Sequence, residues 1–340
     1  MVEQRTENPC VRGSIPRSGT TKLFPIKMKI FSIFISLSLI LNSNSFARSD
    51  SHAPIGVARD HIHKKGEIMA SYRYAYMKMK GLRQGDDKIA TGQALDQYAM
   101  APNNMYTQAH MFGVMYGLTD KVTISSMLAY ITKDMDINRH NNSQIKQDSQ
   151  GISDLKLNAS YQFKENWLLN LGTTIPFGAI DADHQNQNLP YAMQIGSGSY
   201  QFNPGISYSK LLNNYSFGGQ INGNFYLNQN SNNYKLGDNF NITTWLAKPI
   251  KENLSISTRL NYHKTDAIEG FDDTLSTNMT PSNGPSLYGK QTLEIGLGAN
   301  TKINNNLRFG IEGFLSIYQN IDGPMLENDF KIVAGFQKLF

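Results

Sequence analysis

The chain has 340 residues, a net charge of +5 and one cysteine, but residues 1–47 distort this summary. Without them, and so without six Lys/Arg, two Asp/Glu and Cys10, the remaining 293 residues carry 26 basic and 25 acidic side chains. A balance so close to neutral gives no argument for a nucleic-acid partner. The absence of cysteine from these residues excludes disulfides, thiolate metal sites and cysteine nucleophiles.

Residues 28–47 have the organisation of a secretory signal peptide. Met28-Lys29 is followed by an apolar run of about a dozen residues, and Ser45 and Ala47 are the small residues expected before a cleavage site. A membrane-spanning helix needs about 20 apolar residues, so the run is too short to be an anchor. Because a signal peptide starts close to its charged region, residues 1–27 are predicted to be an over-extended gene start. A functional leader extension is the alternative.

Residues 48–66 are predicted to form a His-containing periplasmic segment before the first strand. His61 and His63 alternate with one other residue, so an extended backbone places both rings on one side. In the first strand, Met77 and Met79 share the side predicted to face the lumen. Imidazole and thioether groups suit borderline and soft metals such as copper, which makes these four residues a candidate metal site. Alternatively, the methionines fill gaps in packing and the His pair lies at the surface.

The pattern of the second strand is compatible with two orientations. Phe112 and Tyr116 would suit lipid, but they share a face with His110. Because an imidazole facing lipid is costly, the prediction places His110 in the lumen and turns Met111 outward.

A period of two continues through the rest of the chain. Between Leu254 and His263, apolar residues fall on one face and Ser, Arg, Asn and His on the other. Such alternation predicts strands with one apolar and one hydrated face. Short polar turns are predicted at residues 119–121, 164–166, 213–214, 251–253 and 304–306. Longer connections rich in Gly, Asn and Asp are predicted at residues 81–103, 134–151, 178–198, 229–236, 265–287 and 319–327.

Short turns on one rim and long loops on the other are typical of barrels that cross a membrane. The eleven connections predict about twelve strands within residues 67–340. The expected fold is therefore all-β: a transmembrane, antiparallel, up-and-down β-barrel with both ends on the periplasmic, short-turn side. The aromatic residues predicted to form interface girdles are Tyr130, Trp167, Phe177, Tyr200, Tyr262 and Tyr288.

A barrel of this size is expected to enclose a narrow channel or a lumen partly blocked by loops. Its lining is predicted to include Arg73, Asp154, Lys156, Arg259, His263, Glu294, Arg308, Glu312 and Lys331. The excess of basic residues suggests a mild preference for anions. Alternatively, these charges pair across the lumen and stiffen its wall.

The sequence gives only weak evidence for a catalytic site. His140 and Ser143 have the spacing of a hydrolase pair, but they lie in a loop-like run without alternation. Asp181, Asp183 and His184 are close in sequence, in a loop where such residues are common. The prediction is that the protein is not an enzyme.

Several motifs resemble a family of bacterial outer-membrane barrels grouped with meta-pathway phenol-degradation proteins, often called transporters. One departure is Gly66-Glu-Ile-Met69, where such barrels usually have Trp in the third position. The matching runs are His52-Ala-Pro-Ile-Gly-Val, His61-Ile-His-Lys-Lys-Gly-Glu67, Ser71-Tyr-Arg-Tyr74, Met77-Lys-Met79, Gly151-Ile-Ser-Asp-Leu-Lys156, Leu189-Pro-Tyr-Ala-Met-Gln-Ile-Gly-Ser-Gly198, Tyr234-Lys-Leu-Gly-Asp238 and Tyr318-Gln-Asn-Ile-Asp-Gly-Pro324. The resemblance implies a barrel and suggests transport, without a substrate or a catalytic set.

The sequence therefore predicts a porin-like channel of the bacterial outer membrane that passes small solutes by passive diffusion and needs no cofactor. Its expected partners are outer-membrane lipid, the solute and the barrel-assembly machinery, for which Phe340 ends a terminal aromatic strand. No nucleic-acid partner is expected. The alternatives are a copper-type metal-binding component, a closed structural barrel and an outer-membrane hydrolase.

Overall fold

The computed structural model describes residues 52–141 and 143–340. The predicted gene start at residues 1–27 and signal peptide at residues 28–47 lie outside these residues. Within the described ranges, no helix is both long and apolar enough to cross a membrane.

Strands make up most of the described structure, and the helical elements are short. The strands are β1 (Ile68–Gly85), β2 (Asp87–Ile89), β3 (Met100–Thr119), β4 (Val122–Arg139), β5 (Gln144–Ile152), β6 (Leu155–Lys164), β7 (Trp167–Ile175), β8 (Asp183–His184), β9 (Gln187–Asn188), β10 (Gln201–Leu211), β11 (Ser216–Tyr226), β12 (Tyr234–Lys235), β13 (Asn239–Lys251), β14 (Leu254–Thr265), β15 (Glu269–Gly270), β16 (Lys290–Lys302) and β17 (Leu307–Leu339). The helix α1 (Thr91–Leu95) and the 3-10 turns Tyr191–Met193, Pro281–Asn283 and Pro285–Leu287 lie in connections.

The main sheet closes into a barrel. Its elements follow the order β1-β3-β4-β6-β7-β10-β11-β13-β14-β16-β17, neighbouring strands in the ring are antiparallel, and β17 pairs back with β1. Two further strands, β2 and β5, pair with β1 and β4 at the side of this ring. The predicted all-β antiparallel barrel is confirmed, with a ring of eleven strand elements among the described residues where about twelve strands were predicted.

The last ring element, β17, is folded back on itself. Its first part pairs with β16 as far as Ile321, and its second part pairs with β1 from Ile321 to Leu339. The two ends of β17 also meet, because the amide of Leu339 donates to the carbonyl of Asn306 at 2.8 Å. Residues 319–327, predicted as a loop, therefore lie within β17. Gln319 to Ile321 pair with β16, and Ile321, Met325 and Leu326 pair with β1, so pairing continues up to the bend of β17 and leaves no long loop.

Alternating side chains give the barrel wall an apolar outer face and a polar inner face. Large apolar residues face outward, such as Leu297 at 69% and Leu315 at 60% exposure. Their polar neighbours face inward, where Ser257 and Glu312 are buried. An apolar outer belt around a polar interior is the arrangement of a barrel in a membrane.

The orientation predicted for the second strand, β3, is wrong. Phe112 and Tyr116 point outward together with His110, and Met111 points into the lumen. The polar groups on the outer face have hydrogen-bond partners on β1. The hydroxyl of Tyr72 is 2.8 Å from Nδ1 of His110, and a second tyrosine, Tyr74, donates to Gln108 at 2.8 Å. These bonds lower the cost of placing an imidazole against lipid.

Replacement of Tyr72 by Phe tests this compensation. We expect Tyr72→Phe to destabilise the barrel by about 1–3 kcal/mol, because the His110 ring loses its partner on an apolar surface. The double variant Tyr72→Phe/His110→Leu is expected to recover most of that loss. Urea-induced unfolding in lipid vesicles measures both, and equal stability of the single variant and the unmodified protein would contradict the explanation.

The predicted short turns all join neighbouring ring strands, for example at residues 165–166 between β6 and β7. Asn166 adopts a φ of 65° there, which asparagine tolerates better than most residues and which suits a tight hairpin. The predicted loop at residues 134–151 is instead mostly a hairpin, because β4 continues to Arg139 and β5 pairs back along it. Long connections elsewhere agree with the prediction.

Candidate functional site

Residues 52–63 lie inside the barrel at its short-turn end, and we call them the plug segment. The amide of His63 donates to Thr123 at 2.8 Å, close to the turn between β3 and β4. Ile55 packs against Phe314 and Val333, two inward-facing residues of β17. Residues 52–63 of the segment predicted to be periplasmic thus occupy the lumen, at the end predicted to face the periplasm.

A ladder of small polar side chains holds the tip of the plug segment. Asn170 and Gln220 both donate to the hydroxyl of Ser207, at 2.8 and 2.7 Å. Ser207 donates in turn to the backbone carbonyl of Arg59, and Gln220 donates to that of Ala58 at 2.9 Å. Arg59 adopts a φ of 63°, which aims its carbonyl at the ladder.

The guanidinium of Arg59 fixes the same tip from its other side. It donates to Asn158 at 3.2 Å and to Asn222 at 3.1 Å. The tip is therefore bonded to strands β6, β7, β10 and β11, which lie on the wall opposite β1. Together these contacts make the plug segment span the lumen.

A buried ion pair holds the other side of the plug segment. Nε of Arg259 and Oε1 of Glu312 are 2.8 Å apart, and Glu312 also accepts the amide of Gly56 at 3.1 Å. The Arg259 guanidinium lies over the ring of Phe314, 4.4 Å from its centroid. A Cβ on Gly56 would lie 2.5 Å from Nη2 of Arg259 and 2.6 Å from Oε2 of Glu312. A side chain at this position would have to push the two ends of the ion pair aside.

Three imidazoles and one carboxylate cluster in the plug segment. Nδ1 of His61 is 2.8 Å from Oδ1 of Asp60 and 3.2 Å from Nδ1 of His52. The ring of His63 packs edge-on against that of His61, with centroids 4.9 Å apart. The other oxygen of Asp60 accepts the amide of Ala53 at 2.8 Å, which closes the segment into a loop.

The protonation of this cluster follows from its burial. Burial, followed by the charge of His61, lowers the pKa of His52 well below its ordinary value, and burial lowers the pKa of His63. For Asp60, burial raises the pKa, but the charge and hydrogen bond of His61 together with His52 outweigh it, so the net shift is downward. At neutral pH the imidazoles of His52 and His63 are therefore neutral and the Asp60 carboxylate is charged.

Above the plug segment lies a central cavity of about 690 Å³. One side of its lining is rich in methionine, and Asp154, Lys156, His263 and Lys290 lie beside these methionines, with Lys156 paired directly across from Met127. The methionines that line the cavity are Met77, Met79, Met105, Met111, Met127, Met135 and Met325. A smaller cavity of about 150 Å³ lies next to the plug segment and includes Arg59, Asp60, His61 and Arg73 in its lining.

Three connections cover the long-loop end of the lumen, at residues 176–200, 227–238 and 266–289, and we call them the cap loops. They pack on one another through a cluster of Tyr191, Tyr234, Ile268 and Leu275. Burial raises the pKa of Tyr234 to about 12, so its phenol is neutral at physiological pH. Tyr288, predicted for an interface girdle, joins this cluster instead, because the cap loops fold inward.

Two lumen residues anchor the cap loops. Asp154 accepts the amide of Gly178 at 2.9 Å and the hydroxyl of Ser197 at 2.6 Å. Nζ of Lys133 donates to the carbonyls of Ala192 and Gln194, at 2.8 and 2.6 Å. The cap is thus attached to β4 and to the start of β6.

Loss of the Lys133 ammonium is expected to loosen the cap. A hydrogen bond to a charged group contributes about 1.5–3 kcal/mol, so we expect the cap loops of Lys133→Met to open at least about tenfold more often. Protease added to intact cells measures this opening as the rate of cleavage within residues 176–200. Lys146→Met, at an exposed position of β5, is the matched control, and equal cleavage of both variants would contradict the anchoring role.

The predicted lumen charges are mostly engaged with one another or with the chain. Beside the Arg259–Glu312 pair, Lys331 contacts Glu294 at 2.9 Å. Arg73 donates to the carbonyl of Val57 at 3.5 Å. These contacts support the interpretation that lumen charges stiffen the wall rather than select anions.

The remaining predicted lining residues have other surroundings. His263 lies 2.9 Å from the hydroxyl of Thr265 and lines the central cavity, as does Lys156. Arg308 lies near His52, whose protonation its charge opposes.

The four predicted metal ligands fall into two groups. His61 and His63 belong to the plug segment, and His61 lines the smaller cavity. Met77 and Met79 line the central cavity instead. The imidazoles are grouped with His52 and Asp60, two residues that the spacing argument passed over because they are distant in sequence or of another type.

Comparison with known proteins identifies the fold. No protein-family model matches the chain, and no curated protein matches it. Among solved structures, the COG4313 outer membrane channel from Pseudomonas putida F1 is similar with a TM-score of 0.59 and 13% identity, over 83% of this chain and 98% of that one. At this identity the likeness establishes a shared barrel fold.

Two further solved structures are similar with lower TM-scores, and no conclusion about this chain is drawn from them. The Pseudomonas putida toluene transporter TodX matches with a TM-score of 0.42 and 9% identity, over 81% of this chain and 90% of that one. The KdgM porin matches with a TM-score of 0.36 and 10% identity, over 79% of this chain and 98% of that one.

Proposed function

We propose that this protein is a passive channel of the bacterial outer membrane for small, largely apolar solutes. The observation that carries the proposal is the central cavity, which lies within the lumen of a barrel with an apolar outer belt. Ligand sites are typically concave and mostly apolar, with a few polar groups that orient the ligand. The cavity has this composition, with His263 and Lys290 beside the methionines in its lining.

The methionine wall favours solutes of varied shape. Thioether side chains are unbranched and polarisable, so they adapt to different apolar surfaces. A polar solute such as a sugar would leave its hydroxyl groups without partners along this wall, at a cost in free energy. The cavity is therefore suited to compact molecules with one polar end.

Passage requires that both covers of the cavity move. The plug segment is held by hydrogen bonds and one ion pair, and the cap loops by Asp154 and Lys133. Loops held in this way open locally at a lower cost than the barrel wall, whose backbone hydrogen bonds are continuous. Diffusion through the lumen needs no cofactor and no covalent step.

Electrical recording on protein refolded in planar bilayers tests the proposal. We expect single-channel currents that an aromatic alcohol blocks from the long-loop side and a sugar alcohol does not. Met111→Lys is expected to abolish the blockade because it places a charge in the apolar wall, whereas Met127→Leu keeps the wall apolar and is the control. A protein that shows neither current nor blockade is a closed structural barrel, and the proposal fails.

We also propose that β17 crosses the membrane twice, which gives twelve crossing strands. The ring alternates in direction from β1 to β16, and β17 is antiparallel to both, so β17 reverses near Ile321. The contact between Leu339 and Asn306 supports this reversal. An even number of strands is usual in bacterial barrels.

Single cysteines introduced into the cysteine-free barrel test the reversal. We expect an impermeant maleimide to label Asp322→Cys on intact cells, because the bend of β17 lies at the cell surface. Asn305→Cys, in the short turn before β17, is expected to react only after the outer membrane is permeabilised. Labelling of both positions from the same side would contradict a double crossing.

We further propose that the chain belongs to the family it resembles, that the barrel-assembly machinery inserts it into the membrane, and that it has no catalytic activity. The motifs support membership of the outer-membrane transporters grouped with meta-pathway phenol-degradation proteins. Outer-membrane lipid contacts the apolar belt, and Phe340, whose amide donates to Ile68 at 2.8 Å, ends the strand offered to the barrel-assembly machinery. His140 lies at an exposed hairpin tip, where Ser143 donates to Asn141 at 2.6 Å, which supports no hydrolase pair.

A further inference from the structure

We propose that His52, Asp60 and His61 form a binding site for a divalent transition metal of the borderline class, such as Zn²⁺, which locks the plug segment in the lumen. In each of the three residues one potential ligand atom lies within 4.8 Å of those of the other two. The site differs from a thioether site, because no methionine is part of the cluster. Two imidazoles and a carboxylate are the donor set that zinc and copper(II) accept.

All three distances between the potential ligand atoms are at most 4.8 Å, and two of them are slightly shorter than the spacing in a coordination polyhedron. In a tetrahedral zinc site, metal–ligand bonds of about 2.0–2.2 Å place neighbouring ligand atoms about 3.3 Å apart. The contacts of His61 Nδ1 with His52 Nδ1 and with Asp60 Oδ1 measure 3.2 and 2.8 Å. Small side-chain rotations would open these contacts to the coordination spacing.

Hydrogen bonds alone cannot satisfy both close contacts of Nδ1 of His61. When both imidazoles are neutral, Nδ1 of His61 either donates to Asp60 or accepts from His52, and it cannot do both. One of the two close contacts is then left without a proper hydrogen bond. A cation placed among the three atoms accepts a lone pair from each of them.

Hydrogen bonds within the described residues also leave two nitrogens of the histidine cluster without partners. The Nε2 atoms of His61 and His63 are buried and have no hydrogen-bond partner among the described residues. His63 is 5% exposed, and its ring packs against that of His61. Buried polar atoms are nearly always paired, so the contacts among the described residues do not satisfy this cluster. Nε2 of His61 lies across the ring from Nδ1, the atom that would bind the metal, so the Nδ1 and carboxylate contacts are what support the site.

The position of the site gives the metal a structural effect. His52 stands at one end of the plug segment, and Asp60 and His61 stand beside the tip that Arg59 anchors to the opposite wall. Coordination would join the two arms of the segment and stabilise its folded form, because a metal that binds only the folded form stabilises it by mass action. The bound metal is therefore expected to keep the channel closed at its short-turn end.

Zn²⁺ binding to the refolded protein tests this inference. Equilibrium dialysis followed by elemental analysis is expected to show one Zn²⁺ per chain. Loss of an outer-sphere partner of a metal ligand costs about 10- to 100-fold in affinity, so His52→Ala/His61→Ala is expected to lose more than that. His140→Ala, which removes an exposed histidine far from the cluster in sequence, is expected to bind as the unmodified protein does.

Two further measurements keep the test independent of folding and of transport. Co²⁺ substituted for Zn²⁺ in the unmodified protein is expected to show the visible absorption of a nitrogen- and oxygen-ligated ion. Zn²⁺ is also expected to slow proteolysis within residues 52–63, and a chelator to reverse this. The absence of bound Zn²⁺, or equal binding by the His52→Ala/His61→Ala variant, would overturn the inference and leave the channel proposal unaffected.

Discussion

Gly56→Val is expected to raise the single-channel conductance several-fold. The Val side chain has no room at this position, because even a Cβ would lie 2.5 Å from Arg259 and 2.6 Å from Glu312. The Val side chain must push the ends of Arg259 and Glu312 away, which breaks the hydrogen bond from the Gly56 amide to Glu312 and is expected to release the plug segment. Since the wall strands keep all their ladder hydrogen bonds, the barrel itself is expected to remain folded.

The control for this substitution lies on the same strand as Glu312. Gly313 faces outward, and a Cβ added there would meet nothing within 4 Å. Gly313→Val is therefore expected to conduct as the unmodified protein does. Planar bilayer recordings of both variants measure the effect, and a conductance of Gly56→Val equal to that of the control would show that the plug segment does not limit the current.

Removal of one partner of the Arg259–Glu312 pair is expected to destabilise the barrel by about 3–5 kcal/mol, because the remaining charge stays buried without its counter-charge. Arg259 is 7% exposed and Glu312 is 1% exposed. Arg259→Met keeps the volume of the side chain and its contact with Phe314, so the loss reports the charge. Unfolding in urea, followed by the fluorescence of Trp167 and Trp245, measures the free energy.

The double variant Arg259→Met/Glu312→Leu separates charge from packing. It removes both charges, so we expect it to be more stable than either single variant. It also removes the acceptor of the Gly56 amide, and its conductance is therefore expected to rise even though stability recovers. A double variant as unstable as the sum of the single losses would contradict the pairing.

The barrel wall could be predicted from the sequence because its physical cause is local. A strand between lipid and a hydrated lumen alternates every second residue, and Leu254 to His263 shows this without any knowledge of neighbours. The short turns could be predicted equally well, since polar residues such as Asn166 interrupt the alternation of apolar and polar residues. The prediction for β3 was wrong because the cost of an outward His110 was judged from that residue alone, whereas Tyr72 on another strand offsets it.

The interior of the lumen could not be predicted in the same way. The contacts that fix the plug segment join residues far apart, such as Gly56 and Glu312, and no periodicity connects them. The metal-ligand hypothesis grouped His61 with Met77 by the chemistry of their side chains, while the fold groups His61 with His52. One signal was available: Lys133 continues the inward series of Met127 along β4, and that series would have placed it in the lumen.

The contacts that hold the plug segment in the lumen also determine when it can fold. Gly56 meets a carboxylate 256 residues later in the chain, and Ala58 and Arg59 meet side chains on β10 and β11. Contacts between residues so distant in sequence form slowly, and the partner side chains are not in place until the later strands have joined the sheet. The wall must therefore assemble with an unobstructed lumen, and the first described residues of the chain are among the last to reach their native positions.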